Sequence, residues 1–277
     1  MKLQYLGTAA AEGVPAPFCQ CAVCEEARAK GGRSVRTRSQ ALLDGRLLID
    51  LPADTYLHVL RDKLRLYEAG ACIVTHCHSD HLYPHELECL ISWAAHRKEP
   101  KTFHLYGTEP VLRRIRQEFE ELDEVVREGG LALHEVVPFQ PFTADGYRVT
   151  ALKADHGAEN SIVYVIEKDG QSMLYAHDTG LLPDESMAYL KALDIRFGLV
   201  SYDCTHGLEP HVNRNHLNLE GDVILRERLR ELGRVTEKTV HVANHFSHNG
   251  VAGYEGFAPL AEEKGFLTAY DGMVVEF

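Results

Sequence analysis

The sequence predicts an α/β protein in which two β-sheets pack face to face and helices cover both outer faces, an αββα four-layer sandwich. Predicted strands and hairpins alternate with predicted helices in each half of the chain, which favours layered α/β packing. Two-residue Asp-Gly turns at residues 44–45 and 169–170 join short apolar runs, a pattern typical of β-hairpins. No linker, repeat or low-complexity segment interrupts the chain, so residues 1–277 are expected to form a single domain.

In the first half, a predicted strand at residues 2–6 leads into a turn-rich loop and a helix after Cys24. The hairpin at 42–49 is followed by an amphipathic segment at 55–66 and a buried strand at 72–75. We then expect a helix at 86–95, an extended segment at 102–106 and an amphipathic helix at 111–127, where apolar side chains recur at helical spacing.

In the second half, the predicted strands are residues 131–137, 147–153, 161–167, 172–176, 197–202 and 239–242. Helices are predicted at 184–193 and 220–232, and a final hairpin is predicted around residues 271–272. The loops at the strand ends should converge along one edge of the sandwich, where functional residues are expected.

Composition limits the classes of function. Apolar residues make up 45% and charged residues 25% of the 277, as in ordinary globular enzymes. The formal net charge of −12 disfavours a large RNA or DNA partner. No apolar run approaches the roughly 20 residues that span a bilayer, and the first residues are too polar for a secretion signal. Without such a signal, the odd count of seven cysteines indicates a reducing compartment, so a cytoplasmic location is expected.

The densest group of metal-binding side chains lies in residues 75–81, Thr-His-Cys-His-Ser-Asp-His. If the preceding strand continues to residue 76, His76 and His78 project from one face, because side chains two apart share a face. Asp80 and His81 would reach the same region from the following turn. So many ligands on a short arc suggest two adjacent ions, and imidazole with carboxylate suits Zn, Mn or Fe.

Three later metal-capable residues, His156, Asp178 and His245, each follow a predicted strand. A lone histidine in a loop is usually not a ligand. Three such positions beside an intact His-x-His-x-Asp-His motif instead favour a shared metal centre at the edge of the sheets.

A cysteine-rich loop at about residues 15–26 contains Cys19, Cys21 and Cys24. The three thiols could be free core cysteines. Their Cys-x-Cys-x2-Cys spacing within a polar loop favours metal binding instead.

The first motif, followed by a single His, a single Asp and a final His, resembles the ligand pattern of binuclear hydrolases of the metallo-β-lactamase fold. This resemblance implies three ligand groups: His76, His78 and His156 on one ion, Asp80, His81 and His245 on the other, and Asp178 as the bridge. Oxygen-reducing diiron members of that fold place a Glu where this chain has His78, so the resemblance favours hydrolysis.

Further motifs narrow the resemblance to the PhnP-type cyclic phosphodiesterases of the carbon–phosphorus lyase pathway. These motifs are Gly7-Thr8-(x3)-Glu12-Gly13-Val14-Pro15, the cysteine loop, Asp178-Thr179-Gly180, Asp203-Cys204-Thr205-His206, Asn215-His216 and His245-x2-His248. In that family the three cysteines hold a structural zinc together with a histidine three residues after the last active-site ligand, which implies His248 here. Three thiolates and one imidazole make a closed tetrahedral zinc shell without an open position for catalysis.

The resemblance implies a binuclear metal-dependent phosphodiesterase with two catalytic divalent metals (Zn or Mn, with Fe as an alternative) and one structural Zn. The two cations would share a hydroxide that attacks the phosphorus of a small, cyclic phosphodiester. A sugar alkoxide leaves poorly, so a general acid is expected. His216 is the first candidate for this acid and Asp80 the second, whereas Arg214 is a candidate contact for the substrate phosphate.

Two other functions stay open. One is a different hydrolysis on the same fold, by a tRNA 3′-end nuclease or a thioester or lactone hydrolase. The negative charge and the lack of a basic, Gly-rich RNA-clamping insertion weigh against the nuclease. The other is a non-hydrolytic role like that of the PQQ-pathway B protein, which has a similar cysteine loop but is expected to lose second-metal ligands that are present here. The expected partner is a small-molecule phosphodiester, without nucleic acid or membrane, and a homodimer is an open alternative to a monomer.

Overall fold

The computed structural model describes residues 1–99, 101–210 and 214–277. Its strands are β1 Lys2–Gly7, β2 Gln40–Leu43, β3 Leu47–Ile49, β4 Ala71–Ile73, β5 Phe103–Gly107, β6 Leu131–Glu135, β7 Phe142–Ala144, β8 Tyr147–Lys153, β9 Ile162–Lys168, β10 Gln171–Ala176, β11 Leu199–Asp203, β12 Val240–Asn244, β13 Leu267–Thr268 and β14 Val274–Glu276.

Seven α-helices cover the sheets within the described ranges. They are α1 Ala22–Lys30, α2 Thr55–Asp62, α3 Glu109–Glu118, α4 Leu122–Arg127, α5 Asp184–Ala192, α6 Leu219–Glu231 and α7 Tyr254–Glu263. Short 3-10 turns are found at Gly32–Ser34, Leu66–Glu68 and Pro84–Leu90. None of the helices among these residues is both long and apolar enough to cross a membrane.

The strands form two seven-stranded sheets, in the orders β14-β1-β2-β3-β4-β5-β6 and β13-β12-β11-β10-β9-β8-β7. Each sheet combines an antiparallel part with a parallel part: β3 to β6 run parallel in the first, and β10 to β13 in the second. Parallel strands bring their carboxyl ends to a common edge. The predicted αββα sandwich is therefore confirmed.

The apolar runs of the sequence fill a layer between the sheets and a layer under each set of helices. Along β9, Ile162, Tyr164 and Ile166 face the other sheet, whereas Val163 and Val165 face the helices. A strand that is buried on both faces needs a continuous apolar run rather than an alternating one. This explains why residues 162–166 are all apolar.

Two predicted helices differ from the structure. The single helix expected at 111–127 is broken into α3 and α4, because Phe119 takes an extended conformation (φ −103°, ψ 98°) that places its side chain in the core. The helix expected at 86–95 is instead the 3-10 segment Pro84–Leu90, after which Ile91 is extended and buried in the outer core.

The predicted terminal hairpin around residues 271–272 is wrong. β13 pairs with β12 in the second sheet, and β14 pairs with β1 in the first, so the turn crosses between sheets. Asp271 anchors it there by accepting hydrogen bonds from Thr8 Oγ1 (2.7 Å) and from the backbone N–H of Thr37 (2.8 Å). Two elements, β7 and α7, were not predicted. In α7 the interior Pro259 hides the helical signal.

Candidate metal centre

The strand that precedes the metal-binding motif of residues 75–81 ends earlier than the sequence predicts. β4 ends at Ile73, and the backbone N–H of Thr75 donates to Asp50 Oδ1 (2.8 Å) instead of to a strand. His76 and His78 therefore do not share a strand face. They still point to the same place, with His76 Nε2 3.1 Å from His78 Nδ1.

The first cluster combines these two rings with His156, from the loop after β8. His156 Nε2 lies 3.2 Å from His78 Nδ1. His76 is buried, His156 is half-buried and His78 is exposed. The cluster therefore opens to solvent at His78.

The second cluster consists of Asp80, His81, Asp178 and His245, all buried. Asp178 Oδ2 lies 2.6 Å from His81 Nε2 and 3.1 Å from His245 Nε2. Asp80 Oδ2 lies 3.2 Å from the same His81 nitrogen. The other Asp178 oxygen, Oδ1, faces the first cluster at 3.9 Å from His156 Nε2. Asp178 thus has one oxygen directed at each cluster.

Outer hydrogen bonds select which nitrogen of each buried ring faces its cluster. His81 Nδ1 donates to Asp50 Oδ2 (2.7 Å). His245 Nδ1 lies 2.8 Å from Thr205 Oγ1, whose own hydroxyl donates to the His245 carbonyl. Each ring therefore keeps an unprotonated Nε2 for the centre when it is neutral, which is how metal-binding histidines are commonly oriented.

Two rings of the first cluster are held in the same way. His76 Nδ1 lies 3.1 Å from Thr75 Oγ1, and His156 Nδ1 donates to the Asn215 carbonyl (3.2 Å). Both rings turn Nε2 inward.

Three residues around the centre have left-handed backbone conformations. Asp50, Asp178 and His245 have φ values of 66°, 50° and 64°. Non-glycine residues rarely adopt such values, and the strain concentrates at functional sites. Here the left-handed residues lie where β3, β10 and β12 end, and they turn side chains toward the common edge.

Charge is strongly coupled inside the second cluster. Burial alone would raise the pKa of Asp178, but His245 and His81 hold it well below its ordinary value. Burial would lower the pKa of His81, but the carboxylates of Asp178, Asp80 and Asp50 raise it well above its ordinary value. In the first cluster, burial and the neighbouring rings lower the pKa of His76. Asp178 and Asp80, whose pKa values are lowered, are thus anionic at neutral pH.

The donor sets fit divalent metal ions. Asp178 Oδ2 lies 2.6 Å from His81 Nε2 and 3.1 Å from His245 Nε2, and contacts this short need a proton on the ring nitrogen or a cation between the groups. In the first cluster, His76 Nε2 and His156 Nε2 both approach His78 Nδ1, and that nitrogen carries at most one proton for the two contacts. Converging acceptors repel one another unless a cation lies among them, and imidazole with carboxylate suits Zn or Mn.

His216, the predicted acid, lies beside the second cluster. Its Nδ1 donates to Asp203 Oδ2 (3.0 Å) and lies 3.5 Å from Asp178 Oδ1. Burial would lower the pKa of His216, but Asp203 and Asp178 raise it to about 9. Its Nε2 has no hydrogen bond within the described ranges.

Arg214, the predicted phosphate contact, lies at the rim. Its side chain is 88% exposed and its guanidinium lies 3.3 Å from Asp155 Oδ1, next to His156. It is therefore close to the loop of the first cluster, and its contact with a substrate stays a prediction.

The cysteine loop meets His248 as the resemblance implied. Cys19 Sγ and Cys21 Sγ lie 3.3 and 3.4 Å from His248 Nδ1, and Cys24 Sγ completes a four-atom group. Burial raises the pKa of Cys21, but hydrogen bonds from the Cys24 backbone and from His248 outweigh it and lower the pKa to about 6. This donor set fits a tetrahedral structural zinc.

Two site residues were missed as such from the sequence. Sequence reasoning gives Asp50 no role and includes Asp203 only within the Asp203-Cys204-Thr205-His206 motif. Both are fully buried carboxylates that hold a histidine Nδ1, on His81 and His216 respectively. An aspartate at the end of a buried strand, or directly after one, is the sequence signal available for both.

Comparison with known proteins agrees with this geometry. The family model described as the β-lactamase superfamily domain matches residues 46–238. Ribonuclease Z of Listeria monocytogenes serotype 4b (strain CLIP80459) is 26% identical over 185 residues, which cover 64% of this chain and 52% of that protein. The chain thus spans about half the length of the curated relatives it matches.

Two solved structures have the same fold over the whole chain. A diphosphatase from the PhnP family has a TM-score of 0.74 at 23% identity, covering 100% of this chain and 97% of the other. Zn²⁺-bound PqqB from Methylobacterium extorquens has a TM-score of 0.74 at 19% identity, covering 100% of both chains. Two solved structures thus share its metallo-β-lactamase fold, and since the family match extends over more than half of the sequence, the protein belongs to the β-lactamase superfamily.

Proposed function

We propose that this protein is a binuclear metal-dependent phosphodiesterase that hydrolyses a small, cyclic phosphodiester. The observation that carries the proposal is the position of Asp178, which directs Oδ2 to His81 and His245 and Oδ1 toward His156. A carboxylate with one oxygen in each of two ligand clusters is suited to bridge two cations.

In this proposal one ion is held by His76, His78 and His156, and the other by Asp80, His81 and His245. Two adjacent divalent ions supply Lewis-acid stabilisation of phosphoryl oxygens and lower the pKa of bound water. The chain's own contribution is to orient the rings through Asp50 and Thr205, and to keep the second cluster dry.

His216 is proposed to protonate the leaving oxygen. Asp203 accepts from His216 Nδ1, which fixes the ring and keeps that nitrogen protonated. A proton on Nε2 can then pass to an alkoxide that would otherwise leave poorly. Asp203 is itself held by the backbone N–H groups of Thr205 and Leu217, each at 3.0 Å. Asp80, the second candidate acid, lies 3.2 Å from a ring nitrogen of His81 and is better suited as a ligand.

The size of the substrate is inferred from access and charge. His78 and Arg214 mark the open side of the centre, whereas the whole chain has a net charge of −12. A polynucleotide gains much of its affinity from contacts to basic residues, so the charge favours a small substrate. Processing of tRNA 3′ ends is the second candidate, since the sequence matches ribonuclease Z.

The test uses the purified chain, stripped of metal and reloaded with Zn²⁺ or Mn²⁺. We expect turnover of bis-p-nitrophenyl phosphate and of 2′,3′-cyclic nucleotides or ribose cyclic phosphates, rising with added metal until two ions are bound beyond the cysteine-bound ion. Full activity with one ion in the histidine clusters would overturn the binuclear proposal. A metal-loaded protein inactive on every diester, yet active on a thioester or lactone, would overturn the substrate class.

A further inference from the structure

We propose that Arg114 is a positioning residue that orients His78 by holding the carbonyl of Cys77. Its guanidinium Nη1 donates a hydrogen bond to that carbonyl. The inference rests on the proposed function, because it treats His78 as a metal ligand. It adds a residue, on a helix outside the metal clusters, that sets the affinity of one ion.

The backbone around His78 lies outside the β-sheet and is not held by regular strand hydrogen bonds. Because β4 ends at Ile73, the peptides that follow it are held one at a time. Tyr164 Oη donates to the Val74 carbonyl (2.8 Å), and the backbone N–H of Ile162 donates to the Thr75 carbonyl (3.2 Å). Among the described residues, Arg114 is the hydrogen-bond partner of the Cys77 carbonyl.

His78 also differs from the other rings of the two clusters. His76, His81, His156 and His245 each have a hydrogen-bonded Nδ1 and turn Nε2 inward. His78 instead turns Nδ1 inward, 3.1 Å from His76 Nε2, and its Nε2 has no hydrogen bond within the described ranges.

Among the described residues, no hydrogen bond on the outer side of the ring therefore fixes the orientation of His78, unlike that of the other four rings. Nδ1 is bonded to the ring carbon next to Cβ, so an inward Nδ1 demands a particular direction of the Cα–Cβ bond. That direction depends on the two peptides that flank His78. The backbone N–H groups of His81 and Leu82 donate to the His78 carbonyl (3.1 and 2.9 Å), and Arg114 holds the carbonyl of Cys77 on the other side.

Arg114 is itself fixed on a rigid element. Its Nε donates to Glu118 Oε1 (2.9 Å) one turn further along α3. Helix α3 is anchored by the buried side chains of Val111, Leu112 and Ile115. Its neighbour Arg113 donates to Glu159 Oε2 (2.7 Å) in the loop after His156. One helix therefore holds both loops that bring ligands to the first cluster.

The test compares metal binding in Arg114→Ala, Arg114→Lys and Arg116→Ala. Arg116 is an exposed residue of the same helix and is the matched control. Metal-free samples are titrated with Zn²⁺ against a competing chelator. His156→Ala identifies which binding step belongs to the first cluster. Removing a residue that orients a metal ligand typically weakens binding about 10–100-fold, so we expect that shift in this step for Arg114→Ala.

The other steps should stay at parent values, as should all steps in Arg116→Ala, and Arg114→Lys should recover part of the loss because it keeps a donor. The inference is overturned if Arg114→Ala binds every ion like the parent, or if only the melting temperature of the metal-free protein falls. The titration needs no substrate, so a protein inactive on diesters would refute the proposed function and leave this result standing.

Discussion

At the scale of single residues, the centre is organised by the nitrogen that each ring turns away from it. An oxygen acceptor on Nδ1 leaves Nε2 as the ligand atom in His81, His156 and His245. Those oxygens come from a carboxylate, a backbone carbonyl and a hydroxyl. The fold therefore maintains the orientation of each ring, with Nε2 toward the centre, although the oxygen that binds Nδ1 differs from one histidine to the next.

Asp178 is the residue on which both clusters depend. We expect Asp178→Asn to keep the fold, because amide and carboxyl have nearly the same size, and to lose charge at both clusters. Charge stabilisation by the ions is worth several kcal/mol, so kcat/KM on bis-p-nitrophenyl phosphate should fall by about 10³-fold or more. Circular dichroism and metal content measured with the rates separate this effect from unfolding. Rates near the parent's, or an equal loss in the hairpin control Asp169→Asn, would remove Asp178 from the site.

His216 allows chemistry to be distinguished from packing. If Nε2 protonates the leaving oxygen, His216→Ala should slow hydrolysis of a cyclic ribose phosphate by about 10²–10⁴-fold. The aryl diester should be affected far less, because p-nitrophenolate leaves without a proton. Asp203→Asn should show the same selectivity, since it removes the negative charge that lies 3.0 Å from His216 Nδ1. An equal loss on both substrates would indicate that His216 positions the substrate or supports its loop.

At the scale of elements, the cysteine loop joins the start of the chain to the loop after β12. Zinc held by Cys19, Cys21, Cys24 and His248 would contribute to folding free energy directly. We expect Cys21→Ser and His248→Ala to lose one zinc and to melt at a lower temperature than the parent. Cys89→Ser is the matched control, because Cys89 is exposed and outside the described clusters. An unchanged melting temperature with unchanged zinc would contradict the assignment.

Helix α6 contains a carboxyl group that is expected to cost stability. Asp222, in its first turn, is fully buried, and its carboxyl has the thiol of Cys204, a weak donor, as its hydrogen-bond partner among the described residues. Burial, with a smaller effect of Asp203, raises the pKa of Asp222 well above its ordinary value. The folded state therefore keeps a proton that the unfolded chain releases above about pH 4, so this group lowers stability as pH rises from there.

We expect Asp222→Asn to raise the melting temperature at pH 7, with the gain disappearing below about pH 4. An increase of about 1 kcal/mol in the free energy of unfolding raises the melting temperature by about 2–4 °C for chains of roughly this size. Glu220 is an exposed residue of the same helical turn, so the control Glu220→Gln should leave the melting temperature nearly unchanged. A less stable Asp222→Asn at pH 7 would show that the charged carboxylate is stabilised.

At the scale of the whole molecule, net charge separates the two candidate phosphodiesterases. A chain with 29 basic and 41 acidic side chains should bind RNA weakly at physiological salt. We therefore expect no cleavage of a 3′-extended tRNA precursor under conditions in which a small cyclic diester is hydrolysed. Ribonuclease Z assayed in parallel provides the positive control. Release of the 3′ trailer at a comparable rate would favour the nuclease.

Much of the fold and of the candidate site could be predicted from local signals. The Asp-Gly turn at 169–170 and its flanking apolar runs predicted the β9–β10 hairpin, and the structure contains it. His76 to His81 stood out because the ligands are neighbours in sequence. The hairpin predicted at the final Asp-Gly turn, residues 271–272, is wrong because this turn connects strands of two different sheets.

What the sequence determined by itself was the alternation of strands and helices and the identity of the metal-capable side chains. Periodicity and motif spacing are properties of neighbouring residues, so they can be seen without coordinates. Only the tertiary structure decided that Asp50 holds His81, that Asp203 holds His216 and that Arg114 holds the Cys77 carbonyl. These partners lie 13 to 37 residues apart in the chain. A hydrogen bond depends on direction and on distances of about 3 Å, which are set only when the sheets and helices pack.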